Sequence, residues 1–267
     1  MSSSRAFARA ALAALVALVV PVAPSQAQPS IGIVRPGDSA SLSSAQLGAE
    51  LFAGNCMTCH GVDGRGVRVP RPGVGDVRGQ GPSLRDVGAL APDFYLRTGY
   101  MPLGEPDEQP KRHRVLLSER EIRALVAYVD GLRPDGPPIP TPHPERGSLS
   151  EGLQAFTQHC AGCHQVVGAG GVVTGARVPP LRNATATQIA EAVRIGPYVM
   201  PRFPRSQISD RELDSIVRYV LLTHHPVDRG GWGIGNLGPF PEGIVAWLLA
   251  GGLLVGVCVV IGRRVRG

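Results

Sequence analysis

Apolar residues recur at helical spacing in two stretches, each opened by a serine. Ile122, Leu125, Val126 and Val129 follow Ser118, and Leu213, Ile216, Val217 and Val220 follow Ser209. Positions i, i+3, i+4 and i+7 lie on one face of a helix, so each row predicts an amphipathic helix with one buried side. Glu121 and Glu212 stand three residues beyond their serines, where a glutamate returns the hydrogen bond of the N-cap; both helices therefore open with a capping box. Helices are also predicted near 45–54 and 151–159, and short helical stretches end at Arg97-Thr98-Gly99 and Arg194-Ile195-Gly196. No convincing period-2 run appears, which places the chain in the mainly α class.

The two ends carry a different pattern. Ile244–Gly262 is a run of 19 residues without a charge, bounded by Arg263-Arg264 and with Trp247 near its start. Its length predicts a transmembrane helix, and its flanks place residues 263–267 on the cytoplasmic side as a basic tail. Gly252 and Gly256 form a GxxxG pair that lets a second helix approach closely. Residues 1–27 read as a secretory signal or an N-terminal anchor. Arg5 and Arg9 precede the apolar stretch Ala10–Val20, which is broken by Pro21 and Pro24 and ends at Ser25-Gln26-Ala27. Everything between the ends is then extracytoplasmic.

Charge adds little to this. The pI near 9.4 first suggests a polyanionic partner, but five arginines at the extreme ends supply the excess. Residues 28–243 hold 22 basic and all 21 acidic residues. No basic face remains for phosphate contacts, and nucleic acid is not an expected partner.

An internal repeat organises the middle of the chain. Gly48-Ala49-Glu50-Leu51-Phe52 with Cys56-Met57-Thr58-Cys59-His60 returns as Gly152-Leu153-Gln154-Ala155-Phe156 with Cys160-Ala161-Gly162-Cys163-His164. Pro82-Ser83-Leu84-Arg85 returns as Pro179-Pro180-Leu181-Arg182, and Met101-Pro102 as Met200-Pro201. The order holds while loop lengths change, which predicts duplicated domains at 43–131 and 148–225. A spacer at 132–147, rich in proline, joins them, and a glycine-rich tether at 226–243 leads to the membrane helix. In each domain a glycine, Gly48 or Gly152, is expected to let the first helix cross the last, with Phe52 or Phe156 packed beside it.

Four of the five cysteines fall in the two Cys-x-x-Cys-His motifs, the pattern of c-type haem attachment. Two thiols at this spacing reach the two vinyl groups on one porphyrin edge and form thioethers, and the adjoining histidine is held under the iron. A four-cysteine zinc site brings its pairs much closer than Cys59 and Cys160. Structural disulfides, or a thioredoxin-like redox pair, leave both histidines and the duplication without a purpose. Two covalently attached haem c groups are therefore predicted, on Cys56/Cys59 and Cys160/Cys163, with His60 and His164 as proximal ligands.

The distal ligands follow by elimination. Besides the initiator, the methionines are Met57, Met101 and Met200. Met57 is pinned between the first two cysteines, which leaves Met101 for the first iron and Met200 for the second. The competing histidines are His113, in the charged run Lys111-Arg112-His113-Arg114, with His224 and His225 at a helix end and His143 and His159 elsewhere. Histidine–methionine ligation fills both axial positions and raises the potential relative to bis-histidine, which suits electron transfer and leaves no catalytic residue to assign. Arg85 and Arg182, repeated beside their prolines, are candidates to pair with propionates.

Each half resembles a class I cytochrome c domain. The whole chain resembles the dihaem cytochrome c subunit of the cytochrome bc1 complex, a quinol:cytochrome c oxidoreductase, in the branch where that subunit replaces a separate carrier. Besides the two haem motifs, the ending Gly230-Gly231-Trp232 and Gly238-Pro239-Phe240-Pro241-Glu242-Gly243 before one membrane helix carries the likeness. The resemblance implies two tandem class I cytochrome c domains with one C-terminal transmembrane helix in the cell membrane. It also implies a non-catalytic electron-transfer subunit of a translocase in the respiratory chain, with a cytochrome b subunit, a Rieske iron–sulfur subunit and a haem–copper oxidase as partners. The first haem would be the entry from the Rieske subunit, the second the exit. The long Arg- and Gly-rich loop at 62–80 departs from the pattern. A dihaem carrier for another dehydrogenase or oxidase is the alternative; a dihaem peroxidase would need an iron with an open position.

Overall fold

The computed structural model describes residues 32–67, 81–104, 109, 111–133, 135–224 and 239–265. The predicted N-terminal signal or anchor, loop residues 68–80, most of the tether (225–238) and the last two residues lie outside that set. Two compact units emerge. One comprises the chain up to Thr141 together with Thr187–Ile208, the other Pro142–Ala186 with Ser209 onward.

In the first unit, α1 (Ser44–Asn55) runs directly into the short α2 (Met57–His60), followed by α3 (Leu90–Arg97) and α4 (Glu119–Asp130). Ser118 Oγ accepts from the Glu121 amide while the Glu121 carboxylate accepts from the Ser118 amide, as the sequence predicts. Ser43 and Gln46 close a second box at the head of α1. The apolar face of α4 meets α1 in a core of Leu47, Leu51, Phe52, Leu96, Ile122, Leu125, Val126 and Val129. Burying each of these side chains contributes about 1.5–3 kcal/mol relative to exposure.

Gly48 is where the two helices cross. A Cβ there would lie 2.3 Å from the carbonyl oxygen of Ala124, so only glycine admits this approach. Phe52 packs beside the crossing, 4.9 Å from the Tyr128 ring. The linker starts as part of this body: Ile139 packs on the core, and the Leu90 amide donates to Pro137 O at 3.2 Å. Helix α7 (Ala186–Ile195) joins this unit from Thr187 onward.

The second unit holds a 3₁₀ turn at Pro144–Arg146, then α5 (Leu149–His159), α6 (Ala161–His164), α8 (Asp210–His224) and α9 (Pro239–Val265). Gly152 repeats the role of Gly48 with a Cβ position only 2.0 Å from Ser215 O, and Phe156 lies 5.3 Å from Tyr219. Ser209 Oγ accepts from the Glu212 amide at 3.2 Å. A short antiparallel hairpin of β1 (Gly171–Val173) and β2 (Ala176–Val178), with Val172 opposite Arg177, adds a small sheet to this mainly α architecture without a period-2 signal in the sequence. Three residues are too few to display a period. Helix α9 begins five residues earlier than its uncharged run, and no residue of its stretch Ala246–Val265 is buried.

Candidate functional site

The first Cys-x-x-Cys-His motif is built on the exit of a helix. The Cys56 amide donates to Phe52 O at 2.8 Å, closing α1, and the chain turns at once into α2. Cys56, Cys59 and His60 thus occupy positions i, i+3 and i+4 and point from one side of a helical turn. None of the four motif cysteines is joined to another in a disulfide. The second motif repeats this: the Cys160 amide donates to Phe156 O at 2.8 Å and α6 follows.

Each histidine is then oriented by a proline carbonyl. His60 Nδ1 lies 2.8 Å from Pro82 O, and His164 Nδ1 lies 3.2 Å from Pro179 O. A carbonyl only accepts, so the proton sits on Nδ1 and the Nε2 lone pair is left for a metal. Burial keeps both imidazoles below their ordinary pKa, partly opposed by the carbonyl bond, which favours the neutral ligand form.

The turn that brings the proline back is the same in both halves. Gly66 N donates to His60 O at 2.7 Å and Gly170 N to His164 O at 3.1 Å. Leu84 N donates to Gly64 O at 2.7 Å and Leu181 N to Gly168 O at 2.8 Å. All four glycines have φ between 67° and 80°, the left-handed region that glycine enters without strain. Gly81 is equally constrained, since a Cβ there would meet Cys59 O at 2.4 Å and His60 Nδ1 at 2.8 Å. These glycines were not singled out from the sequence, although Gly64/Gly168 and Gly66/Gly170 share the cysteine offset of 104.

The methionines sit after α3 and α7. Met101 is half-buried against the first core, and its amide donates to Tyr95 O at 3.2 Å. Met200 is also half-buried, with its amide donating to Pro197 O at 3.0 Å. Gly99 and Gly196, both with positive φ, turn the chain toward them. Met57 packs at the margin of the first core. Of the competing histidines, His113 and His159 are exposed, His143 Nδ1 contacts Glu145 at 3.0 Å, and His224 is half-buried at the end of α8. His225 lies outside the described residues. Arg85 holds Asp63 at 3.2 Å, and Arg182 is exposed.

The donor set fits a covalently attached haem better than zinc. Burial first, and the neighbouring cysteine second, push the Cys56 thiol up to about 12 and that of Cys160 to about 11. Among the described residues, no three or more His, Cys, Asp or Glu side chains converge on a point where a metal ion would sit.

Residues 45–133 match the cytochrome c family, and residues 147–220 match the family described as cytochrome c oxidase, cbb3-type, subunit III. Fold and site together define a protein of two c-type cytochrome domains, a class that carries covalently bound haem c. The chain is 32% identical over 236 residues to the cytochrome bc1 complex cytochrome c subunit of Mycobacterium tuberculosis, covering 85% of this chain and 80% of the relative. The subunits of the same name from Corynebacterium diphtheriae (32% identity, 82% and 80% covered) and Mycobacterium leprae (31%, 88% and 80%) are similar. The chain belongs to the family of cytochrome c subunits of the cytochrome bc1 complex, and its function is electron transfer.

Proposed function

We propose that this chain holds two haem c groups, on Cys56/Cys59 with His60 and Met101 and on Cys160/Cys163 with His164 and Met200. The reading rests on one observation above the rest: the bond from each motif histidine to a proline carbonyl, made twice in two loops of different length. When bound, haem c supplies reversible one-electron chemistry at its iron. The chain's own residues do the remaining work. The thiols would fix the group covalently, the proline carbonyls hold the proton on Nδ1, and His60 with Met101 and His164 with Met200 would hold the two irons. Irons held by protein groups alone would pass electrons without binding a substrate, so the subunit would have no catalysis of its own.

The partners follow from the family likeness. The first site receives electrons from the Rieske iron–sulfur subunit beside cytochrome b, and the second delivers them to the copper centre of a haem–copper oxidase. Helix α9 anchors the chain. Its 20-residue candidate span, Ala246–Val265, covers about 30 Å including the two arginines at its end, close to the thickness of a bilayer's hydrocarbon core. Arg263 and Arg264 place its end on the cytoplasmic side, so both domains face outward.

Replacing Met101 or Met200 by alanine is expected to lower the midpoint potential of one haem and leave the other unchanged, as read by redox titration of the membrane-extracted protein. Unaltered potentials in both variants would remove the axial assignment. Recovery of cytochrome b and Rieske subunits with the full chain in mild detergent is the expected result for the complex; their consistent absence would favour another enzyme as partner.

A further inference from the structure

Helix α7 carries a glutamate that none of the electron-transfer chemistry uses. Glu191 is completely buried, and no hydrogen-bond donor among the described residues reaches either of its carboxyl oxygens. The group it meets is the carboxyl of Asp93 on α3, itself 4% exposed. Asp93 is already held by Arg97, whose Nε lies 2.8 and 2.9 Å from its two oxygens. The rest of the Arg97 guanidinium is spent on Glu119 of α4, at 2.6 and 2.9 Å. Beyond Arg97, Arg123 is bound to Glu119, and Arg112 donates to Gln188 Oε1 at 3.2 Å. Arg194 on α7 itself donates to the carbonyls of Phe203 and Ile208. Two ionised carboxylates in dry contact, with one guanidinium already shared by two acids, would be strongly unfavourable.

We propose that Glu191 and Asp93 form a carboxylic acid–carboxylate pair sharing one proton, a pH-sensitive clasp between α7 and α3. Protonated Glu191 donates to Asp93. Losing the proton to solvent leaves two carboxylates that repel, and the clasp loosens. Since α3 leads to Met101 and α7 to Met200, the clasp ties together the two segments that present the candidate methionines. Burial, followed by the charge of Asp93, raises the Glu191 pKa to about 9, which agrees with this reading.

The sign of the linkage follows. An acid whose folded pKa lies above its unfolded value contributes stability that is complete below the unfolded pKa and is lost as pH rises through the folded one. The test uses the full-length haem-loaded protein. Infrared spectra are expected to show a carboxylic C=O band at neutral pH that shifts in D2O and fades as pH approaches 9. Glu191→Gln should abolish the band and flatten the fall of Tm with rising pH. Asp93→Asn, which gives Glu191 an amide donor, should abolish the band with Glu191 still present. Absence of the band from the wild type, or its survival in both variants, would overturn the shared proton. If neither variant folds, the wild-type pH titration decides alone.

Discussion

The two haem-motif halves agree in places a sequence comparison would rank low and differ where they look most alike. Each has a glycine under a helix crossing, an aromatic pair beside it, a glycine-x-glycine turn after the motif and a histidine bonded to a proline carbonyl. Yet 22 residues separate His60 from Pro82 and only 15 separate His164 from Pro179. The second half fills its shorter path with the β1–β2 hairpin. His164 is buried where His60 is half-buried, and Cys163 is exposed where Cys59 is half-buried. What the two halves share is close approach of backbone to backbone; what differs is the length of chain between such approaches.

The largest test of that independence is to remove one attachment site. Replacing Cys56 and Cys59 together by serine is expected to halve the haem bound per polypeptide, measured as the pyridine haemochrome, and to leave the second site loaded. Loss of both haems would show that the halves do not assemble separately. Next come the crossings. Gly152→Ala and Gly48→Ala should each cost about 1–3 kcal/mol through overpacking, with Gly152 the more sensitive because its neighbour is nearer. Denaturant unfolding of the haem-loaded protein would measure both, and a wild-type midpoint for either would break the parallel. The smallest effect is at the caps: Ser118→Ala is expected to cost about 1 kcal/mol by thermal unfolding.

The start of α4 and the capped serine of α8 were legible because a capping box and a helical apolar stripe are local in sequence. The glycines at the crossings were legible through the repeat. Other features depend on contacts that no local pattern encodes. The box of Ser43 with Gln46 uses glutamine, a weaker signal than glutamate, and the hairpin strands are too short to alternate. Pro82 and Pro179 stood out as repeated residues, but that their carbonyls meet a histidine depends on how the chain returns. Glu191 reads on a helix as an ordinary solvated acid; only packing reveals it as buried beside Asp93.

The bond between each histidine and its proline carbonyl also bears on how such a module can be remodelled. It acts as a tether at a fixed point, so the intervening chain is free to lengthen, shorten or acquire a hairpin without disturbing the ring it anchors. A designer wishing to alter the longer loop would keep Gly64, Gly66, Gly81 and Pro82 as fixed posts.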